Sequence, residues 1–591
     1  MNRINRHFLT NIGEMSVIID YNDVIKHQAT QNIGTLGHVS EGKSTLVRAI
    51  TGIKTQRHVK EKERNITINL GYANAKIYQS PDGTYIAQSA TAEPPPAAKL
   101  VKHISFVDCP GHEAFMTTMI GGTMVMDAAC LVISQPQAQT QEHLIAATKV
   151  GLSNMIVIQN KCDLVTKDVA LEYHSQINEF IHETVAEGKP IIPVSAQKGW
   201  NIQHVVRELM GFPMRPPSAS AARMSIVRSF DVNKPGPVDD LIGGVIGGTI
   251  QSGVVMPGDL IEIRPGYFYK RFDGRVGVRP LFTYVASLRS ETTALEYAVP
   301  GGLIGIGTTL DPAITRANRL VGHIAGRPGT LPSITKRIRL KYRAFKRPGI
   351  ETHRPKDGEL LRISAGIFTV PARVASHDGK NYDLELELPA CLECEQVVGI
   401  LRRTVDKELL DAIGIIQAII PYEYVDGPPE FTLEAEREVR WVNWPVMPVL
   451  VRPTFAELLD ALPFVETKVV KLKIPEPHIE RMPKQTVIGN YAAICDSLTK
   501  PIPTSYSVIE IADVLTNYFN EELCTTSSIN KDGQIILAGK FKLPGICNVL
   551  RTFMNKYKKC GQCNGFTTCL VRAEKVMKIY CADCESLTYI E

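Results

Sequence analysis

From Asn32 to about residue 212, short apolar runs alternate with helical stretches. Four runs, "HISFVDCPG", "AACLVISQ", "NMIVIQNKCDL" and "KPIIPVSAQ", are apolar almost throughout and end in a polar turn. Uninterrupted apolar runs of this length are typical of strands that are buried on both faces of a parallel sheet. The pattern predicts an α/β domain at residues 31–212, with helices on both faces of the sheet. A weakly patterned, loose arm is predicted at 1–30.

The pattern changes after a proline- and serine-rich linker at 213–222. "SIVRSFDV", "GGVIGGTIQSG", "GDLIEIRPG" and "GGLIGIGTTL" are short strand signals separated by glycines. This punctuation is typical of antiparallel barrels. We therefore predict one β-barrel at 223–326 and a second at 327–426.

The last third of the chain begins with a linker at 427–474 that contains one short helix, 454–462. Thr454 and Glu457 have capping-box spacing, and an apolar stripe follows at i, i+3, i+4 and i+7. The stripe consists of Phe455, Leu458, Leu459 and Leu462. Such a helix needs a surface to pack on, either on another domain or within the small domain that follows. We predict an α/β domain at 475–559 and a cysteine-rich module at 560–591.

The amino-acid composition indicates little beyond the cellular compartment in which the protein is expected. The 591 residues are 44% hydrophobic and 21% charged, with a formal net charge of only +5. These values are ordinary for a soluble multidomain protein and do not by themselves indicate nucleic-acid binding. No membrane-length apolar run or signal peptide is evident, and thirteen cysteines are few for this length. A cytoplasmic protein that does not contact membranes is expected.

The stretch "NIGTLGHVSEGKST" fits the phosphate-loop pattern G-x-x-x-x-G-K-[ST]. Its glycines let main-chain N–H groups cradle phosphates, its lysine adds a positive charge, and its serine offers a hydroxyl to Mg²⁺. Alone, the stretch could be a chance glycine-rich turn. The candidate phosphate-binding residues are Gly37, His38, Val39, Ser40, Glu41, Gly42, Lys43, Ser44, Thr45 and Gly111.

Three further short motifs follow in order, each at a predicted strand end. "DCPGH" supplies Asp108 for Mg²⁺, and "NKCD" supplies Asp163, whose carboxylate can accept two N–H bonds from a guanine edge. "SAQK" can close the base pocket through the N–H of Ala196. The combination predicts GTP rather than ATP. The guanine-binding candidates are Asn160, Lys161, Asp163, Ser195, Ala196 and Gln197, and the magnesium candidates are Ser44, Thr67 and Asp108.

Two residues are candidates for sensing and hydrolysing the γ-phosphate. Thr67, in "ERNITINLGYANAK", is placed to bind Mg²⁺ in the GTP state and to release it afterwards. His112 directly follows the Asp-Cys-Pro-Gly turn, where it can orient the attacking water. We therefore predict His112 as the catalytic residue.

The motifs "GHVSEGKST", "ERNITINLGYANAKIY", "FVDCPGH" and "YAVPGGLIGIGT" closely resemble the gamma subunit of eukaryotic and archaeal translation initiation factor two. The resemblance covers roughly residues 30–425. It implies an architecture like that of elongation factor Tu and a GTP-dependent carrier of methionyl initiator tRNA. The partners it implies are the small ribosomal subunit, an alpha subunit of the factor and a GTPase-activating factor.

Two departures from this family stand out. The family usually has histidine where this chain has Glu41, and a carboxylate near a triphosphate is unfavourable unless it points away or pairs with a cation. The stretch "QSPDGTYIAQSATAEPPPAAK" lacks the cysteines that many members carry after the switch segment. No metal is expected there.

The C-terminal module carries two C-x-x-C hooks a hairpin apart. Four thiolates in this spacing make a closed tetrahedral Zn²⁺ site, although two redox pairs or disulfides are the alternative. The predicted zinc ligands are Cys560, Cys563, Cys581 and Cys584. Upstream, "NVLRTFMNKYKK" predicts a helix with a basic end, which is either a solvated face or an RNA contact.

Together with "RMPKQTVIGNYAAICDSL" and "SSINKDGQIILAGKF", these hooks resemble the beta subunit of the same factor. In that family a helix like the one at 454–462 docks the beta subunit on the GTPase domain. The chain is thus interpreted as a gamma–beta fusion that couples GTP hydrolysis to tRNA release. Two alternatives stay open: an elongation-type GTPase that carries another tRNA, and a catalytically weak decoy.

Overall fold

The computed structural model describes most of the chain. The described residues are 16–55, 70–111, 122, 125–135, 144, 152–214, 220–234, 241–344, 354–366, 368–403, 408–427, 438–464, 474–499, 506–560, 565–573, 576–582 and 587–589. They fall into two compact units, one made mainly of residues up to Pro463 and one mainly of Phe464–Glu591.

A seven-stranded sheet organises the first domain, in the order β4-β3-β5-β2-β6-β7-β8. Neighbouring strands from β5 to β8 in this order run parallel, and β3 is antiparallel to β5. The strands are β2 Gln31–Leu36, β3 Gly71–Gln79, β4 Tyr85–Ser89, β5 Lys99–Asp108, β6 Ala128–Ile133, β7 Met155–Gln159 and β8 Ile191–Pro193. The described helices are α2 Lys43–Thr51, α3 Lys167–Ile181 and α4 Ile202–Met210. Every residue of β2, β6, β7 and β8 is buried, as a sheet covered on both faces requires.

Two barrels follow, as predicted. In the first, the sheet order is β11-β15-β9-β10-β14-β12-β13, and pairing of β11 with β12 closes it. Its elements are β9 Arg223–Phe230, β10 Val245–Ser252, β11 Leu260–Lys270, β12 Val276–Ser290, β13 Thr293–Leu295, β14 Ile304–Thr308, α5 Pro312–Thr315 and β15 Ile324–Gly326. The second barrel closes in the order β16-β19-β18-β17-β20-β21. Its strands are β16 Ile334–Ala344, β17 Leu360–Ala365, β18 Phe368–His377, β19 Asn381–Cys391, β20 Val397–Arg403 and β21 Glu408–Pro421.

The prediction of a loose arm at 1–30 is wrong for the described residues of that segment. Residues 16–27 form strand β1 (Ser16–Asp20) and helix α1 (Tyr21–His27), and β1 pairs in parallel with β22 (Glu438–Val442) from the expected linker. Ile19 and Val24 are buried against Val299 of the first barrel. The short apolar run "SVIID" becomes a strand because a partner from the other end of this unit covers it.

The second unit contains two four-stranded sheets and three described helices. Its elements are β23 Ile479–Arg481, β24 Gln485–Ile488, α7 Tyr491–Leu498, β25 Ser507–Val508, α8 Ile511–Glu522, β26 Ser527–Ile529, β27 Ile535–Ala538, α9 Leu543–Phe553, β28 Thr568–Ala573, β29 Val576–Cys581 and β30 Leu587–Tyr589. A π-helical turn, Met554–Lys558, extends α9. The basic end expected there is partly internal, since Lys558 is buried and donates to the carbonyl oxygen of Thr568.

Candidate nucleotide-binding site

The phosphate-loop candidates form the turn between β2 and α2. Gly37 and Gly42 have φ angles of 138° and 92°, which favour glycine. A Cβ at Gly37 would lie 2.2 Å from the carbonyl oxygen of Val132, and one at Gly42 would lie 2.2 Å from Asn160 Nδ2. Side chains at these positions would collide with the neighbouring strand ends, so the sequence pattern has a steric cause.

Lys43 is the first residue of α2, and its ammonium group reaches back into the loop. Nζ donates to the carbonyl oxygens of Gly37 at 2.9 Å and His38 at 2.7 Å. Burial lowers the pKa of Lys43, while the Asp108 carboxylate partly offsets that shift. The loop therefore holds a buried cation at the helix N-terminus, where main-chain N–H groups also favour an anion.

Asp108, at the end of β5, gathers hydroxyl groups. Ser44 Oγ and Thr55 Oγ1 each donate to Oδ2 at 2.6 Å, and Thr35 Oγ1 donates to Oδ1 at 2.9 Å. Serine hydroxyl and carboxylate oxygens side by side suit Mg²⁺, so the donor set fits the ion predicted for this site. Thr35 and Thr55 were not among the predicted site residues, because their contacts with Asp108 are visible only in three dimensions.

The Glu41 side chain is directed toward the end of β6. Its carboxylate accepts from the main-chain N–H of Ser134, the first residue after that strand. Burial raises the pKa of Glu41, and the nearby Lys161 and Lys43 act in the opposite direction. This acid of the phosphate loop is thus buried and hydrogen-bonded.

The guanine-binding candidates meet at the ends of β7 and β8. Asn160 Nδ2 donates to the carbonyl oxygen of Glu41 at 2.8 Å, and the N–H of Ala196 donates to Asn160 Oδ1 at 3.0 Å. The Ala196 N–H therefore braces Asn160 in this structure. Ser195 Oγ accepts from the N–H of Lys198 at 3.1 Å. The remaining candidates are Lys161, with a φ angle of 64°, Asp163, in a 3₁₀ turn, and Gln197, which is exposed.

Two predicted residues, Thr67 and His112, lie outside the described residues. The neighbouring Gly111 is described and lies against the loop: a Cβ there would be 2.4 Å from Lys43 Nζ and 2.8 Å from the nitrogen of Val39. All of the phosphate-binding candidates, Gly37–Thr45 and Gly111, therefore lie together around the phosphate loop.

The cysteine hooks are described in part. Cys560 and Cys581 are fully buried and pack together, whereas Cys563 and Cys584 lie outside the described residues. The N–H of Cys560 donates to the carbonyl oxygen of Gly565 at 2.9 Å. Within the described residues, no three potential metal ligands cluster. The juxtaposed thiols of Cys560 and Cys581 fit two ligands of a thiolate metal site.

The helix Phe455–Asp460, called the tether helix below (α6), packs on the α/β domain. Leu458 is part of that domain's buried core, and its carbonyl oxygen accepts from Asn201 Nδ2 at 2.9 Å. Phe455 stacks on His174 of α3 with ring centroids 3.7 Å apart. The capping box of Thr454 is formed as predicted.

Arg452, just before the tether helix, makes a charged contact with the same surface. Its Nε lies 2.9 and 3.0 Å from the two carboxylate oxygens of Glu208, which is buried in α4. Contacts with α3, α4 and β8 thus fix this segment on the α/β domain.

Two family models match the chain. The "Elongation factor Tu GTP binding domain" covers residues 28–214, and the domain found in initiation factors 2B and 5 covers residues 464–587. The chain is also similar to a bacterial selenocysteine-specific elongation factor, EF-Sec, with a TM-score of 0.51 and 20% identity. That match covers 66% of this chain and 58% of the elongation factor's length. SelB from Methanococcus maripaludis gives a TM-score of 0.50 at 17% identity, covering 87% of this chain and 96% of SelB. At these identities the likeness concerns the fold.

Curated relatives are more similar. "Eukaryotic translation initiation factor 2 subunit 3" of Drosophila melanogaster is 43% identical over 413 residues, which is 64% of this chain and 87% of the relative. The subunit gamma of Schizosaccharomyces pombe is 43% identical over 423 residues, which is 66% of this chain and 94% of the relative. None of the helices in the described part of the chain has the length and apolar character needed to cross a bilayer. The chain therefore belongs to the family of the gamma subunit of eukaryotic translation initiation factor 2, and it is a translational GTPase.

Proposed function

We propose that this protein binds GTP with Mg²⁺, carries methionyl initiator tRNA to the small ribosomal subunit, and releases it after GTP hydrolysis. The observation that carries the proposal is the assembled phosphate loop in a chain 43% identical to gamma subunits over most of their length. Its place of action is the cytoplasm.

The roles of the nucleotide-binding residues follow from their chemistry. The loop Gly37–Thr45, with Gly111, surrounds the phosphates, and Lys43 exchanges its carbonyl partners for phosphate oxygens. Ser44, Thr67 and Asp108 hold Mg²⁺, which neutralises charge on the β- and γ-phosphates. Asp163 accepts the guanine N–H groups, while Asn160, Lys161, Ser195, Ala196 and Gln197 complete the base pocket. His112 orients the attacking water.

The second half of the proposal is that the chain fuses gamma and beta subunits. The domain of the type found in initiation factors 2B and 5 begins at residue 464, directly after the tether helix, which is fixed on the GTP-binding domain. A covalent link between docking helix and module raises the effective concentration of each for the other. Cys560, Cys563, Cys581 and Cys584 form a structural Zn²⁺ site in that module.

Further partners follow from the same interpretation. An alpha subunit of the factor binds the gamma-like part, and a GTPase-activating factor accelerates hydrolysis. The need for an activator follows from the sequence, in which we identify no arginine placed as a finger in cis.

The test is binding of charged initiator and charged elongator tRNA to the purified full chain, with GTP, GDP or no nucleotide. We expect tight binding only for the initiator tRNA with GTP. Equal retention of the initiator tRNA in all three nucleotide states would refute the proposal. GTP hydrolysis should then rise when small subunits and an activating factor are added, whereas a decoy would stay slow.

A further inference from the structure

Glu41 joins the phosphate loop to two neighbouring strand ends. Its side chain is 1% exposed, and its carboxylate accepts from both the main-chain N–H and the hydroxyl of Ser134, just after β6. Its own carbonyl oxygen accepts from Asn160 Nδ2 at 2.8 Å, just after β7. One residue of the loop is thus anchored through its side chain at one strand end and through its main chain at the next.

We propose that Glu41 is a positioning residue that holds the phosphate loop in its binding conformation and thereby slows the release of guanine nucleotide. The inference deepens the proposed function and rests on its guanine-nucleotide binding. A carboxylate is the stronger acceptor for such contacts, because hydrogen bonds to an ionised group are shorter and stronger than neutral ones. A histidine at this position could not offer two carboxylate oxygens to the same pair of donors.

A competing effect of the same side chain must be separated from this one. Lys43 and Lys161 are close enough to Glu41 to interact with its charge, and the proposed function assigns both lysines to the nucleotide. A negative charge beside them competes with the triphosphate and would speed release. The hydrogen bonds and the charge therefore have opposite effects on the dissociation rate, and a glutamine separates them, because its amide oxygen still accepts from Ser134 without carrying charge.

The experiment measures dissociation of fluorescent GDP and of a fluorescent non-hydrolysable GTP analogue from the full chain. For Glu41→Ala we expect release of both nucleotides to be about tenfold faster, because a buried hydrogen bond to a charged group is lost. Glu41→Gln should stay within about threefold of wild type, because it keeps a neutral acceptor for Ser134 while it removes the competing charge. Glu172→Ala, which removes an exposed acid of α3, is the matched control and should release at the wild-type rate.

A second variant, Ser134→Ala, tests whether Glu41 acts through Ser134 and does not depend on Glu41→Ala folding. It removes only the hydroxyl donor, so release should be intermediate, and adding it to Glu41→Ala should change nothing more. Thermal unfolding of each nucleotide-free variant shows whether a rate change merely follows lost stability. Glu41→Ala release at or below the wild-type rate would overturn the inference. Wild type that binds no guanine nucleotide would overturn the proposed function as well.

Discussion

Replacing Leu458 and Leu459 by aspartate should detach the tether helix from the GTP-binding domain. Leu459 is fully buried and Leu458 is 5% exposed. Burying two leucine side chains contributes about 3–6 kcal/mol. Removing even the lower value shifts the equilibrium between docked and detached helix by more than about a hundredfold, and burying two carboxylates instead adds a further penalty.

The assay is hydrogen–deuterium exchange of the peptide 454–462 in the full chain. We expect protection in wild type and near-complete loss of protection in the double variant. Ala456→Asp is the matched control, because it places the same acid on the exposed side of the same helix and should leave exchange unchanged. Phe455→Ala gives a milder test, since it removes a half-buried ring that stacks on His174 and leaves Leu458 and Leu459 in place.

Unchanged protection in the double variant would show that polar contacts alone hold the helix, such as the Arg452 contact with Glu208, and would refute the hydrophobic account. Detachment should also expose the linker to protease. A wild-type cleavage pattern in the double variant would contradict the same reasoning.

Three further predictions concern the two proposed metal sites and the pH dependence of stability. Cys560→Ser should lower bound zinc from one ion per chain and abolish the thermal transition of the second unit. Cys569→Ser, in β28 outside the two hooks, should keep the metal. Equal zinc content in both variants would contradict the proposed site. Asp108→Ala should reduce Mg²⁺-dependent GTP hydrolysis by at least about a hundredfold, because magnesium and the hydroxyls of Ser44, Thr35 and Thr55 lose their shared partner; hydrolysis within tenfold of wild type would refute that role. Burial lowers the pKa of His103 from its ordinary value of 6.5 to about 3. Between these two pH values the unfolded chain binds a proton at His103 that the folded chain does not bind. The free energy of unfolding should therefore fall as the pH drops through that window. His103→Asn, which can still donate to the Ile25 carbonyl oxygen, should flatten the melting-temperature profile between pH 7 and 5, and an unchanged slope would rule His103 out.

Much of the α/β domain could be predicted because its signals are local. A buried parallel strand shows itself as an uninterrupted apolar run, and Gly37 and Gly42 show themselves because no other residue fits their turns. The tether helix was predictable for the same reason, since a capping box and an apolar stripe occupy only nine residues. The apolar stripe did not indicate which surface the tether helix packs on. That the helix docks on the GTP-binding domain was predicted from the family resemblance alone.

What the sequence could not give depends on contacts between distant residues. Nothing near "SVIID" indicates that β1 will pair with a strand at 438–442, and the aromatic packing of Trp444 against Tyr21 is equally remote. From the sequence, Lys558 is expected on a basic surface. In the structure it is buried, because β28 brings the Thr568 carbonyl oxygen next to its ammonium group, and this contact is not visible in the local sequence. The direction of the Glu41 side chain likewise depends on Ser134, which lies 93 positions later.

The parallel pairing of β1 with β22 has a consequence for the order of events on the ribosome. Roughly 420 residues separate the two strands. At about 5–20 residues per second, the first strand leaves the exit tunnel on the order of 20–80 seconds before its partner is made. Strand β1 must wait that long for its pairing partner, so the gamma-like part completes its fold only as synthesis of the beta-like module begins. The nascent chain should therefore depend on chaperones most during this interval, at its amino-terminal end.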